Sequence, residues 1–160
     1  MAALPFYYVY GKTLLNTHFM AGGSVVINNR FAFPNAVVKE MVEKEVTGFA
    51  GVPSTFAILM NRSTFTKTHI PTLRYVTQAG GTMAPALTGR LMEHLKSTEL
   101  YIMYGATEAS ARLTYLTPDR LIKDKLGSIG IPIPDVRITI RDDMGQELGT
   151  NSPSPVKRGV

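Results

Sequence analysis

Apolar and polar positions change period along this chain, and the changes divide it into elements. Val25-Val26-Ile27 is a continuous apolar run between Gly22-Gly23 and Asn28-Asn29, which reads as a short buried strand. Pro34 suits the first turn of a helix running to about Glu45, with Val37, Val38, Met41 and Val42 on one stripe. On its wet side Lys39 and Glu43, and Glu40 and Lys44, stand four apart as ion pairs. Gly48-Phe49-Ala50-Gly51-Val52 is a second short strand, and Pro53 opens a helix that ends near Ser63-Thr64. Phe56, Leu59 and Met60 form the inward face of that helix, with Ile58 at its edge.

A polar connection from Thr66 to Pro71 leads to a third strand, Leu73 to Thr77, and to the loop Gln78-Ala79-Gly80-Gly81-Thr82. Pro85 begins a helix in which Leu87, Leu91 and Leu95 recur four apart, and Glu99 to Met103 is a fourth strand. After Thr117-Pro118-Asp119 the period changes. Val136 to Ile140 alternates strictly between Pro134-Asp135 and the turn Asp142-Asp143-Met144-Gly145, the pattern of a half-buried antiparallel strand and hairpin. Four strands each followed by a helical pattern predict an α/β fold, a mostly parallel helix-covered sheet followed by the start of an antiparallel β region. The expected division is an α/β unit over 1–126, then a β-rich unit from 127 ending in a weakly ordered tail, rich in Ser, Pro and Gly, from Gly149 to Val160.

A length of 160 residues provides for one real core, and 44% apolar with 18% charged residues describes a globular piece rather than a disordered one. The absence of cysteine excludes disulfides and thiolate metal sites. No basic-then-apolar leader opens the chain and no apolar run reaches membrane-span length, so the cytoplasm is the expected location. The apolar opening Met1-Ala2-Ala3-Leu4-Pro5-Phe6 is that of a segment cut from a larger protein, and such a segment is the expectation here. The formal charge of +5 comes from scattered Lys and Arg with no basic stripe interleaved with aromatics, which argues against nucleic-acid binding. Before Lys39 there is no Asp or Glu, although four aromatics precede Gly11. Such a segment tolerates an anionic or apolar ligand better than a cationic one, and it is equally compatible with plain burial.

The densest chemistry lies in Tyr101-Ile102-Met103-Tyr104-Gly105-Ala106-Thr107-Glu108-Ala109-Ser110. A β-prone run stops at a glycine and delivers a hydroxyl and a carboxylate side by side. Glycine backbone can approach a ligand, and Thr107 with Glu108 suits a phosphate and its Mg²⁺. The same residues also read as a strand, a turn and a helix start, with Thr107 as cap and Glu108 in the first turn. In a parallel sheet Gly80-Gly81 and Gly105 follow consecutive strands, so both loops open on one edge, where such sheets bind ligands. A planar ring then fits between glycine backbone and the Tyr104 face, with phosphate near Thr107 and a cation at Glu108. His18, His69 and His94 fall in three unrelated elements, and no nucleophile–histidine–acid arrangement exists. Neither Gly-x-x-x-x-Gly-Lys-Ser/Thr nor Gly-x-Gly-x-x-Gly occurs, so an ATP site would need its main phosphate cradle from elsewhere.

Several blocks resemble, in order, the adenylate-forming superfamily of acyl-CoA synthetases, luciferases and peptide-synthetase adenylation domains. They are Leu4-Pro5-Phe6-Tyr7-Tyr8-Val9-Tyr10-Gly11, Phe49-Ala50-Gly51-Val52-Pro53, Leu73 to Gly81, Tyr104-Gly105-Ala106-Thr107-Glu108, Gly127-Ser128-Ile129-Gly130-Ile131-Pro132 and Asp143-Met144-Gly145. The Tyr-Gly-x-Thr-Glu block is the most specific, and the likeness covers about residues 4 to 149. The resemblance implies an enzyme that joins a carboxylic acid to ATP as an acyl adenylate, releasing pyrophosphate, then passes the acyl group to the thiol of coenzyme A or a carrier protein. By position it implies Gly81, Thr82, Tyr104, Gly105 and Ala106 around the adenine of ATP or AMP. Thr107 would contact the α-phosphate and Glu108 would hold Mg²⁺, these two being the catalytic residues. Tyr8, Gly51, Val52 and Gly80 would line the acyl channel. Tyr8 stands where the family commonly has His, and Thr82-Met83 replaces a frequent Ala-Pro. The family's phosphate loop and its catalytic Lys have no counterpart here, which implies the central part of the large N-terminal domain, inactive in isolation and partnered by the missing parts of the same enzyme. An amino-acid-activating domain is the alternative within the family, and a non-catalytic nucleotide-binding or interaction module the alternative outside its chemistry. The acid-free first segment, lacking an Asp for a substrate ammonium, favours a simple carboxylic acid.

Overall fold

A computed structural model describes residues 1–121 and 125–148. Its helices are α1 (Val9–Met20), α2 (Pro34–Glu43), α3 (Pro53–Arg62) and α4 (Pro85–His94), and its strands β1 (Gly48–Gly51), β2 (Tyr75–Gln78), β3 (Glu99–Tyr104), β4 (Thr114–Leu116) and β5 (Ile131–Pro132). The strands form one sheet in that order. β1, β2 and β3 pair in parallel, with Gly51 beside Gln78 and Gln78 beside Ile102, while β4 and β5 continue the sheet antiparallel. The expected α/β class, parallel first and antiparallel after, is the observed one.

Proline starts three of the helices. Pro34, Pro53 and Pro85 occupy first-turn positions where the absent N–H would have had no helical partner. α2, α3 and α4 bury their stripes on one face of the sheet: Val37, Val38 and Met41, then Phe56 and Leu59, then Leu91, against Phe49, Val76 and Leu100. Each such side chain, taken from water, contributes roughly 1.5–3 kcal/mol. Phe49 and Phe56 meet edge to face with centroids 6.1 Å apart. Ala50 and Met103 of the strands, and Ala79 just after β2, point to the other face, where Tyr10 of α1 and Leu4 before it cover them. The Tyr10 hydroxyl lies 2.5 Å from Thr77 Oγ1, and burial raises the Tyr10 pKa well above its ordinary range, so it stays a neutral anchor of α1 on β2.

The structure departs from the sequence pattern in four places. Val25-Val26-Ile27 is no strand: Ile27 makes one isolated parallel bridge to Ala2, which also bridges Ala50 of β1. Among the described residues no α-helix follows the fourth strand; Thr107–Ala109 is a single 3-10 turn, capped by Ala106 without any side-chain bond, so Thr107 is not a cap. The chain instead returns as β4. Val136 to Ile140 is not a half-buried strand: Ile138 is 39% and Ile140 65% exposed, and the only pairing nearby is the bridge Arg141 to Glu147 across the expected turn. The tail expected from Gly149 lies outside the described residues. α1 was not foreseen at all, and no described helix is long and apolar enough to cross a membrane.

Candidate functional site

β2 and β3 end in register, so Gly80-Gly81 and Gly105 leave the sheet at the same edge, as expected. Between them is a cavity of about 170 Å³ on the α4 side, lined by Gly81, Thr82, Tyr104 and Gly105, with Gln78 and Ser128 as further walls. Tyr104 is a wall of this cavity and is 45% exposed. Gly127, Ser128 and Ile129 reach the cavity because the Thr114 hydroxyl of β4 donates to the Ile129 carbonyl. Of the residues expected around an adenine, Gly81, Thr82, Tyr104 and Gly105 thus share one wall system, while Ala106 stands outside it.

Thr107 opens on a second cleft of about 570 Å³ on the α1 side of the edge, with Tyr8, Val52, Leu4 and Lys12. Lys12, which the sequence pattern did not single out, is the one charged residue lining that cleft. Gly80, a wall of the first cavity, packs against two walls of the second: it sits at φ +81°, and a methyl group there would lie 2.4 Å from the Tyr8 hydroxyl oxygen and 3.1 Å from Val52. Tyr8, Val52 and Gly80 are therefore brought together. Gly51 is not; it is buried under α3, where an added Cβ would meet Thr55 at 2.8 Å and Phe56 at 3.1 Å.

Gly105 has a different reason from the one its sequence suggests. A Cβ on it would fall 1.6 Å from the Ala111 carbonyl oxygen, so the missing side chain makes room for the chain's own return and not only for a ligand. That return is fixed by Leu113 N–H donating to the Tyr104 carbonyl at 2.8 Å and Ala111 N–H to Ala106 at 3.2 Å. Ala111 is held at φ +81°, a left-handed conformation that costs a non-glycine residue about 1–3 kcal/mol. The loop so tightened presents Thr107 and Glu108 to solvent; Thr107 lines the α1-side cleft, and Glu108 lines neither space. Among the described residues Glu108 makes no ion pair and belongs to no cluster of three His, Asp or Glu. A single free carboxylate fits Mg²⁺, which takes one or two carboxylates and completes its shell with phosphate oxygens and water.

The sequence pattern of the AMP-binding enzyme family matches residues 1–154. The chain belongs to that family. A long-chain-fatty-acid–CoA ligase of Yersinia pestis is 32% identical over 155 residues, covering 96% of this chain and 27% of the relative. The o-succinylbenzoate coenzyme A synthetase of Bacillus subtilis, solved with ATP and magnesium ion, superposes with TM-score 0.78 at 27% identity over 94% of the chain and 30% of its own. An amide bond synthetase of Marinactinospora thermotolerans gives TM-score 0.78 at 28% identity over 89% and 28% respectively. The chain thus spans under a third of the length of these proteins.

Proposed function

We propose that the intact protein is an ATP-dependent acyl-CoA synthetase, which converts a carboxylic acid and ATP to acyl adenylate and pyrophosphate and then to a thioester of coenzyme A. The observation that carries this reading is the pair of clefts at one strand edge, on opposite sides of the sheet, with Gly80 of the first packed against Tyr8 and Val52 of the second. In this reading the base lies between the Gly81 backbone and Tyr104. The Thr107 hydroxyl donates to an α-phosphate oxygen, and the acid enters past Tyr8 and Val52. The acid's carboxylate oxygen forms a bond to the α-phosphorus while the bond to pyrophosphate breaks, and the thiol sulfur then attacks the acyl carbon with loss of AMP. Glu108 holds Mg²⁺, which when bound offsets the negative charge of the phosphates. The chain's share is positioning: fixed donors where charge gathers, with no covalent chemistry of its own.

Lys12 supports a simple acid over an amino acid, because a lone cation in the acid cleft attracts a carboxylate and repels an ammonium. The fatty-acid ligase relative supports an aliphatic acid, and the coenzyme A synthetase neighbour supports the thiol acceptor. The test is pyrophosphate release by the intact protein with ATP, Mg²⁺ and a panel of fatty acids and amino acids, followed by thioester assay with coenzyme A. Fatty-acid-dependent release at ~1–10² s⁻¹ is expected. Release driven by amino acids, or none with any acid, would refute the proposal.

A further inference from the structure

Gln78 closes β2, and none of its side chain reaches solvent. It points to the α4 side, into the wall of the cavity beneath the Gly80–Met83 loop. Its Nε2 donates to the Gly81 carbonyl at 2.8 Å, the only side-chain hydrogen bond to Gly80–Met83 among the described residues. Its Oε1 is buried without a partner. The hydroxyl of Thr88, another wall of the same cavity, is committed to the Ala84 carbonyl at 3.2 Å and has no second proton to give.

For packing alone glutamine is a poor occupant of this position. Methionine fills a similar volume without an orphaned acceptor, and an unpaired buried acceptor costs more than one neutral hydrogen bond returns. A side chain that lowers stability beside a ligand cavity, while holding one carbonyl of the cavity wall, fits a functional constraint better than a folding one. Gly81 is where that constraint acts. Gly80 at φ +81° and Gly81 without a side chain leave the loop little stiffness of its own.

We propose that Gln78 is a positioning residue for the nucleotide: its amide fixes the Gly81 carbonyl and so sets the backbone surface on which the base rests. This rests on the reading of that cavity as the adenine site. The intact protein carrying Gln78→Met tests it. A Tm equal to or above wild type is expected, with KM for ATP raised at least ~10-fold and KM for the carboxylic acid within ~2-fold. Backbone ¹⁵N order parameters at Gly81–Met83 should also fall in the nucleotide-free protein. An ATP KM within ~3-fold of wild type, an equal rise in both KM values with a fallen Tm, or failure to fold would each overturn the proposal. If the wild type binds no ATP, the adenine reading falls, and unchanged order parameters at Gly81–Met83 in Gln78→Met separately rule out the positioning role.

Discussion

At Gly105 a single hydrogen stands where any other residue would drive a carbon against the Ala111 carbonyl. The sequence marks that glycine clearly, because it ends a β-prone run and precedes Thr107-Glu108. What it cannot mark is the contact, since the five residues between depend on a return of the chain that follows from β4 pairing with β3. Gly105→Ala is therefore expected to destabilise the intact protein by about 2–3 kcal/mol in a urea titration. A loss under about 0.5 kcal/mol would show that the loop yields freely and that the glycine serves only the ligand. Gln78 was hidden for a related reason: a polar residue at a strand end reads as the start of a loop, and only coordinates reveal that it is buried. Lys12 was hidden because α1 was.

Among the elements, legibility followed how strongly each segment's own pattern is satisfied within the chain. α2, α3 and α4 carry a proline start and an apolar stripe, and all three stand where the pattern placed them. α1 has no such stripe: Phe19 and Met20 are exposed, and only Tyr10 and Gly11 are buried. It is held by burial of Tyr10 and by contacts to β2 rather than by periodicity. Val136 to Ile140 shows the converse, a clean two-residue alternation with no described strand beside it to make a half-buried face. α4 supplies the test at this scale. Gly89 lies in its interior with nothing within 4 Å of an added Cβ, so Gly89→Ala should stabilise the protein by about 0.5–1 kcal/mol. Destabilisation in the same unfolding experiment would mean that α4 is held in this position by something other than its own helical geometry and stripe.

At the scale of the whole fold, the sheet separates two spaces that both open at its carboxyl edge. Helices α2 to α4 back the face with the cavity between Gly81 and Tyr104, and α1 backs the face with the cleft at Tyr8 and Thr107. This division follows from strand alternation: Val76 and Gln78 point one way, Thr77 and Ala79 the other. The central claim is that the edge where the faces meet is the site of acid activation, with Glu108 as its metal ligand. As an exposed residue of a one-turn 3-10 segment without an ion pair, Glu108 has little to contribute to folding. The decisive measurement is acid-dependent ATP–pyrophosphate exchange by the intact protein and by Glu108→Gln at saturating Mg²⁺, each with a melting curve. The account predicts unchanged melting and exchange lowered at least ~10²-fold, about 2.7 kcal/mol of transition-state stabilisation. Exchange within ~5-fold of wild type, in a folded variant, would contradict it.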